Sequence, residues 1–202
     1  MIIIDTPGIT EEQKSTPKFQ QALAELVAQL SDPNFVDATC WHEAAHVVYL
    51  KTLGIEVDYI KPHIRYVPED GDYELCSAAI KARRRGIPLP GRKQIIAWLD
   101  EYLVSIACAL AAGGVAECKR SEMLGMPSLS ALDGGDRRQF VELCDTIDRN
   151  YDICVDPDAI WERGRWTVEQ DLKQPGALDF IKQHADLIRP LLGLSNQHNT
   201  FF

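Results

Sequence analysis

His42, Glu43 and His46 form an H-E-x-x-H string inside a stretch with helical patterning. Residues four apart share one face of a helix, so both imidazoles can converge on one metal ion. Glu43, one step round, can act as general base toward an attacking water without being a ligand itself. Zinc suits this pair: it accepts imidazole nitrogen, has no redox chemistry and lowers the pKa of bound water to about 7. Trp41, Val47, Val48 and Leu50 make the setting apolar, where two neutral imidazoles need a metal or other partners. A catalytic zinc also takes a third protein ligand and keeps one position open. His63, His184, His198, Glu117, Asp133 and Asp136 are the candidates. After His46 the chain runs Val47-Val48-Tyr49-Leu50-Lys51-Thr52, which excludes an H-x-x-G-x-x-H extension. A carboxylate further along is the expected third ligand.

The elements that must position these groups can be read from periodicity. Thr16 and Pro17 supply an N-cap and a first-turn proline, and Phe19, Ala22, Leu23, Leu26, Val27 and Leu30 follow at helical spacing. Asp32-Pro33 breaks that helix. The metal helix is expected over 37–53, with Gly54 as its stop. Alternation at Ile55, Val57, Tyr59 and again at Ile64, Tyr66, Tyr73 and Leu75 predicts short strands of an antiparallel ribbon over 55–80. Residues 81–90 then read as an exposed basic loop. A long helix is expected over 92–112, and the Gly113-Gly114 pair lets another element approach closely. Helical patterns over 135–150, 157–173 and 177–192 complete a predominantly helical α+β fold. The organisation expected is an arm over 1–16, one domain over 17–194 and a tail over 195–202.

Composition narrows the function classes. The chain has 202 residues, of which 30 are acidic and 21 basic, for a net charge of −9. Such a chain repels phosphate backbones, which argues against nucleic-acid partners. Ile2 to Gly8 ends in the D-x-x-G pattern of a GTPase strand, yet no G-x-x-x-x-G-K-[ST] loop exists to hold phosphates. Six widely spaced cysteines among apolar neighbours read as reduced and mostly buried, which with the lack of a signal segment predicts a cytoplasmic location. The longest apolar stretch, 102–116, is too short for a membrane span and reads as a core helix. Lys81, Arg83, Arg84, Arg85, Arg92 and Lys93 form a basic run that reads first as a solvated loop, with a docking patch for an acidic protein or an anionic surface as the alternative. A homo-oligomer is equally open.

Three segments carry a family resemblance. Cys40-Trp41-His42-Glu43-Ala44-Ala45-His46-Val47-Val48 is similar to the H-E-A-G-H-A-[VL] helix of FtsH-type zinc peptidases. Leu110-Ala111-Ala112-Gly113-Gly114-Val115-Ala116-Glu117 resembles that family's L-x-G-G-R-x-A-E segment. The stretch from Leu132 to Phe140 resembles its T-G-A-x-x-D-L segment, which supplies an aspartate ligand. Ala45 stands where the family has glycine, Val115 where it has arginine, and the T-G-A triplet itself is absent. The resemblance implies a zincin-like domain with zinc on His42, His46 and Asp136 and Glu43 as catalytic base. Glu117 would orient a histidine; it is also the fallback third ligand, with Asp133 a further alternative.

The family's ATPase module has no counterpart in these 202 residues. The expected activity is therefore ATP-independent hydrolysis of peptide bonds in loosely folded polypeptides, and the resemblance implies that the ribbon at residues 55–67, directly after the metal helix, pairs with the substrate backbone. Tyr59, Tyr66 and His63 on that ribbon are candidates for oxyanion stabilisation. The runner-up is a catalytically inactive peptidase-like domain that regulates or binds other proteins.

Overall fold

Three Xaa-Pro pairs start three helices by the same device. Thr16 accepts a hydrogen bond from the Phe19 N–H ahead of α2 (Pro17–Ser31). Asp32 accepts from the Asn34 N–H ahead of α3 (Pro33–Thr52), and Asp156 from the Ala159 N–H ahead of α6 (Pro157–Asp171). In each case proline occupies the first turn, where a missing N–H costs nothing. The computed structural model describes residues 4–84, 92–128 and 135–192, with the backbone alone over 77–84 and 92–97. Within these, α1 (Glu11–Lys14) precedes α2, and α3 leads into a hairpin of β1 (Ile55–Val67) and β2 (Asp72–Arg84). Helices α4 (Arg92–Leu124), α5 (Gly135–Tyr151), α6 and α7 (Ala177–Leu192) follow. The architecture is mostly helical α+β with one small antiparallel sheet, as the periodicity indicates.

Several boundaries differ from expectation for identifiable reasons. The metal helix begins at Pro33 rather than 37, because Asp32-Pro33 ends one helix and caps the next. It stops as expected at Gly54, whose φ of +68° suits a residue without Cβ. The ribbon is two strands of 13 residues each, not several short ones. Pro62 is absorbed by a register shift between Lys61 and His63, where the missing N–H leaves no ladder bond broken. Strand β2 continues to Arg84, so Lys81 to Arg84 is strand and not loop. Residues 85–91, the rest of that basic loop, lie outside the described residues, as does the 195–202 tail.

The long helix passes through Gly113-Gly114 and ends at Leu124, a length of about 50 Å. Its Trp98–Leu124 portion is long and apolar enough to cross a membrane, more than the 102–116 reading allowed, and 56% of that window is buried against the rest of the protein. Small residues explain how: Ala107, Ala111, Ala112 and Ala116 let α3, α5 and α6 close onto it. At the α4–α6 crossing a Cβ on Gly164 would lie 2.6 Å from the Ala107 Cβ.

The core divides into three packed groups. Trp41, Ala44, Ala45 and Val47 of α3 meet Ala112, Val115 and Ala116 of α4 and Ile181, Ile188 and Leu192 of α7. Phe140, Cys144 and Ile147 of α5 meet Leu103 of α4 and Trp161 of α6. Ile9, Phe19, Leu26 and Leu30 close over Ile64 of β1. Burying one such large apolar side chain stabilises the fold by about 1.5–3 kcal/mol. The arm joins this third group: Asp5 donates its N–H to Pro62 O at 3.0 Å and accepts from Ile64 N at 2.9 Å. Of the cysteines, Cys40, Cys108 and Cys144 are buried, Cys76 and Cys118 half-buried and Cys154 exposed, so burial is less general than composition indicated.

Candidate metal centre

Helix α3 is buried on most of its circumference, and the turn bearing His42 and His46 faces α4. What sits opposite is Gly113. A Cβ there would lie 2.5 Å from Nε2 of both His42 and His46, so the rings occupy the space a side chain would fill. The two Nε2 atoms are 2.9 Å apart. Asp136, in the first turn of α5, brings Oδ2 to 3.3 Å from Nε2 of His42 and 3.4 Å from Nε2 of His46. Among the described residues, these three form one group whose ligand atoms gather within 4.8 Å of one another.

These spacings can be tested against zinc. Bonds of about 2.0–2.2 Å in a tetrahedron place the donors about 3.3–3.6 Å apart. The two nitrogen–oxygen edges meet that requirement, and the nitrogen–nitrogen edge needs to open by a few tenths of an ångström. The donor set of two imidazoles and one carboxylate is likewise suited to zinc with an open fourth position. The residues fit the metal.

The second nitrogen of each imidazole has its own partner. His46 Nδ1 donates to the backbone carbonyl of Ala109 at 2.7 Å, which leaves Nε2 with its lone pair toward the triangle. His42 Nδ1 faces Glu117 Oε2 at 3.9 Å, and Ser128 Oγ donates to Glu117 Oε1 at 3.2 Å. Glu117 is thus behind His42, on the side turned away from the triangle. Sequence reasoning missed Ser128 and the Ala109 carbonyl; a serine 11 residues on and a main-chain oxygen leave no motif to find.

Electrostatics at the site favour a positive charge. Burial opposes charge on His42, but Asp136 and Glu117 outweigh it and raise its pKa to about 10. Asp136, despite burial, is held below the usual carboxylate range by His42 and His46. Glu43 is buried, with 6% exposure, and desolvation pushes its carboxyl up against the lowering effect of the two histidines. Burial, and to a lesser degree the charges of Glu74 and Glu43, raise the half-buried Cys76 thiol of β2 to about 11.

The other candidates lie elsewhere. His63 pairs in register with Cys76 on the hairpin. His184 donates Nδ1–H to Phe180 O at 3.0 Å, one turn back on its own helix. Asp133 and His198 fall outside the described residues. Tyr66 packs on Tyr73 at 5.4 Å between ring centres, and Tyr59 lies beneath Lys61. Val115, at the family's arginine position, is in the core, as is Ala45. The chain matches no protein-family model, no curated protein and no solved structure.

Proposed function

We propose that this chain is a zinc-dependent metallopeptidase that hydrolyses peptide bonds of loosely folded polypeptides. The observation that carries the reading is the triangle of His42 Nε2, His46 Nε2 and Asp136 Oδ2, with Glu43 buried on the same helix. The resemblance of the metal helix to FtsH-type zinc peptidases supports it, and so does a side-chain spacing close to that of a tetrahedral zinc site.

His42, His46 and Asp136 would hold the metal. Bound there, zinc supplies a Lewis acid that polarises a peptide carbonyl and makes water acidic enough to attack at neutral pH. Glu43 accepts the proton of the attacking water and passes it to the departing amine. The Ala109 carbonyl keeps His46 in one tautomer, and Glu117 does the corresponding work behind His42. Outside its ladder with β1, strand β2 has a second edge, and an extended peptide can add there through main-chain hydrogen bonds. Only an unfolded segment can offer its backbone in that way, hence the preference for loose chains.

Zinc-loaded protein incubated with unfolded casein tests the proposal. Release of acid-soluble peptides, stopped by a chelator and restored by zinc, is the expected result. A protein that binds zinc and leaves casein and other unfolded chains intact would instead be a non-catalytic domain.

A further inference from the structure

Asp136 belongs to a helical turn with no buried apolar residue of its own. The buried positions of α5 are Phe140, Cys144 and Ile147, all at least one turn further on. They fix the body of the helix against α4 and α6, but the first turn is held by polar contacts. Arg137 donates to Asp158 Oδ1 of α6 at 2.8 Å, and Arg138 donates to Glu74 Oε1 of β2 at 2.6 Å. Glu74 is itself held from the other side: its Oε2 receives Arg65 Nε at 2.9 Å from the position opposite on β1. Glu74 therefore ties the hairpin to the turn that carries the aspartate.

We infer that Glu74 and Arg138 form a latch that sets Asp136 over His42 and His46, a pair of positioning residues that never touch the metal. The inference rests on the metal site proposed above. A ligand set works only when each donor is held within about 0.5 Å of its productive place. Among the described residues the turn that carries this carboxylate has no buried apolar side chain to fix it, so its ion pairs set where it points. Arg138, two residues from Asp136, pins it to the hairpin, while Arg137 pins it to α6. Each pair has one well-exposed partner, Asp158 in one and Arg138 in the other, so solvent screening keeps its contribution to global stability small. Their effect is local, on where the first turn of α5 points.

The test is zinc affinity, read by competition with a chromophoric chelator, beside the melting temperature of the zinc-free proteins. Glu74→Ala and Arg138→Ala are each expected to weaken zinc binding about tenfold, the scale of outer-sphere metal contacts. The double variant should be no weaker than either single one, because both remove the same pair. Arg138→Lys, which keeps the charge, should recover most of the affinity, and melting temperatures should stay close to wild type. Arg163→Ala, which breaks the exposed Asp100–Arg163 pair, should bind zinc like wild type. Wild-type affinity in Glu74→Ala and Arg138→Ala would overturn the latch and leave the metal site standing. Additive losses that track a falling melting temperature would overturn it too, as general destabilisation. A wild-type protein that takes up no zinc would overturn the metal site itself, and the latch with it.

Discussion

A Cβ on Gly113 would lie 2.5 Å from Nε2 of His46, so the imidazole rests directly on the backbone of α4. The same helix turn also supplies the Ala109 carbonyl that fixes the other nitrogen of that ring. One short stretch of α4 thus sets both the position and the tautomer of His46. Gly113→Ala makes the consequence measurable. Alanine favours a helix interior by about 1 kcal/mol over glycine, so the zinc-free protein should not lose helix content. The added methyl must displace both imidazoles, and zinc affinity should fall at least about tenfold. Chelator competition and circular dichroism on one preparation check both halves of this expectation.

Asp136→Ala and Glu117→Ala separate ligand from orienting group. Removing Asp136 takes away a donor of the triangle and should abolish stoichiometric zinc binding. Removing Glu117 leaves all three donors and should weaken binding by about 10–100-fold. Metal content after dialysis against a weak chelator distinguishes the two. A larger loss in Glu117→Ala would exchange the assignments.

The buried Arg120 gives a stability prediction away from the chemistry. Its guanidinium donates to Asp37 Oδ2, and Arg189 of α7 donates to Asp37 Oδ1. With the Arg120 side chain only 4% exposed, Asp37→Ala leaves a buried charge without its carboxylate. The cost should be about 3 kcal/mol at neutral pH, measured by urea denaturation.

The same carboxylate governs acid stability. Burial works against its charge, yet Arg189 and Arg120 hold the Asp37 pKa below its ordinary value. Its contribution is therefore fully present above the unfolded pKa of about 3.9 and is lost as pH falls through the lowered folded value. Wild-type stability should drop through that acid window, and Asp37→Asn should drop less steeply there. Parallel acid limbs for the two proteins would contradict this.

Gly164 is expected to be intolerant for packing reasons. An added Cβ would meet the Ala107 Cβ at 2.6 Å and the backbone of Cys108 at 2.9 Å. Gly164→Ala must push α6 away from α4, at about 1–3 kcal/mol, despite the better helix propensity of alanine. Thermal unfolding compared with wild type reads the loss.

Legibility followed the range of the physics involved. The cap at Thr16, the stop at Gly54 and the histidines four apart are local, and short stretches of sequence carry them; the break at Asp32-Pro33 is equally local, but that Asp32 also caps the next helix is seen only in the structure. The Gly113-Gly114 pair signalled a close approach, but what approaches comes from another helix some 70 residues away. Asp136 could not be separated from Asp133 or Glu117 by spacing alone, since only tertiary packing of α5 decides which carboxylate reaches the triangle. Alternation gives short strands where the structure has two long ones, because a register shift that absorbs Pro62 has no sequence mark. Asp37, Arg120 and Arg189 are spread across α3, α4 and α7, and each alone reads as an ordinary surface charge. The pairing of Glu74 with Arg138 was invisible for the same reason.

The central claim is that Glu43 moves a proton at a zinc held by His42, His46 and Asp136. The most direct measurement compares casein cleavage by zinc-loaded wild type and zinc-loaded Glu43→Gln, with metal content determined on the same samples. The account predicts about one zinc per chain in both proteins, cleavage in wild type, and a loss of at least about 100-fold in the variant. Equal cleavage by the two, with zinc bound in each, would contradict it.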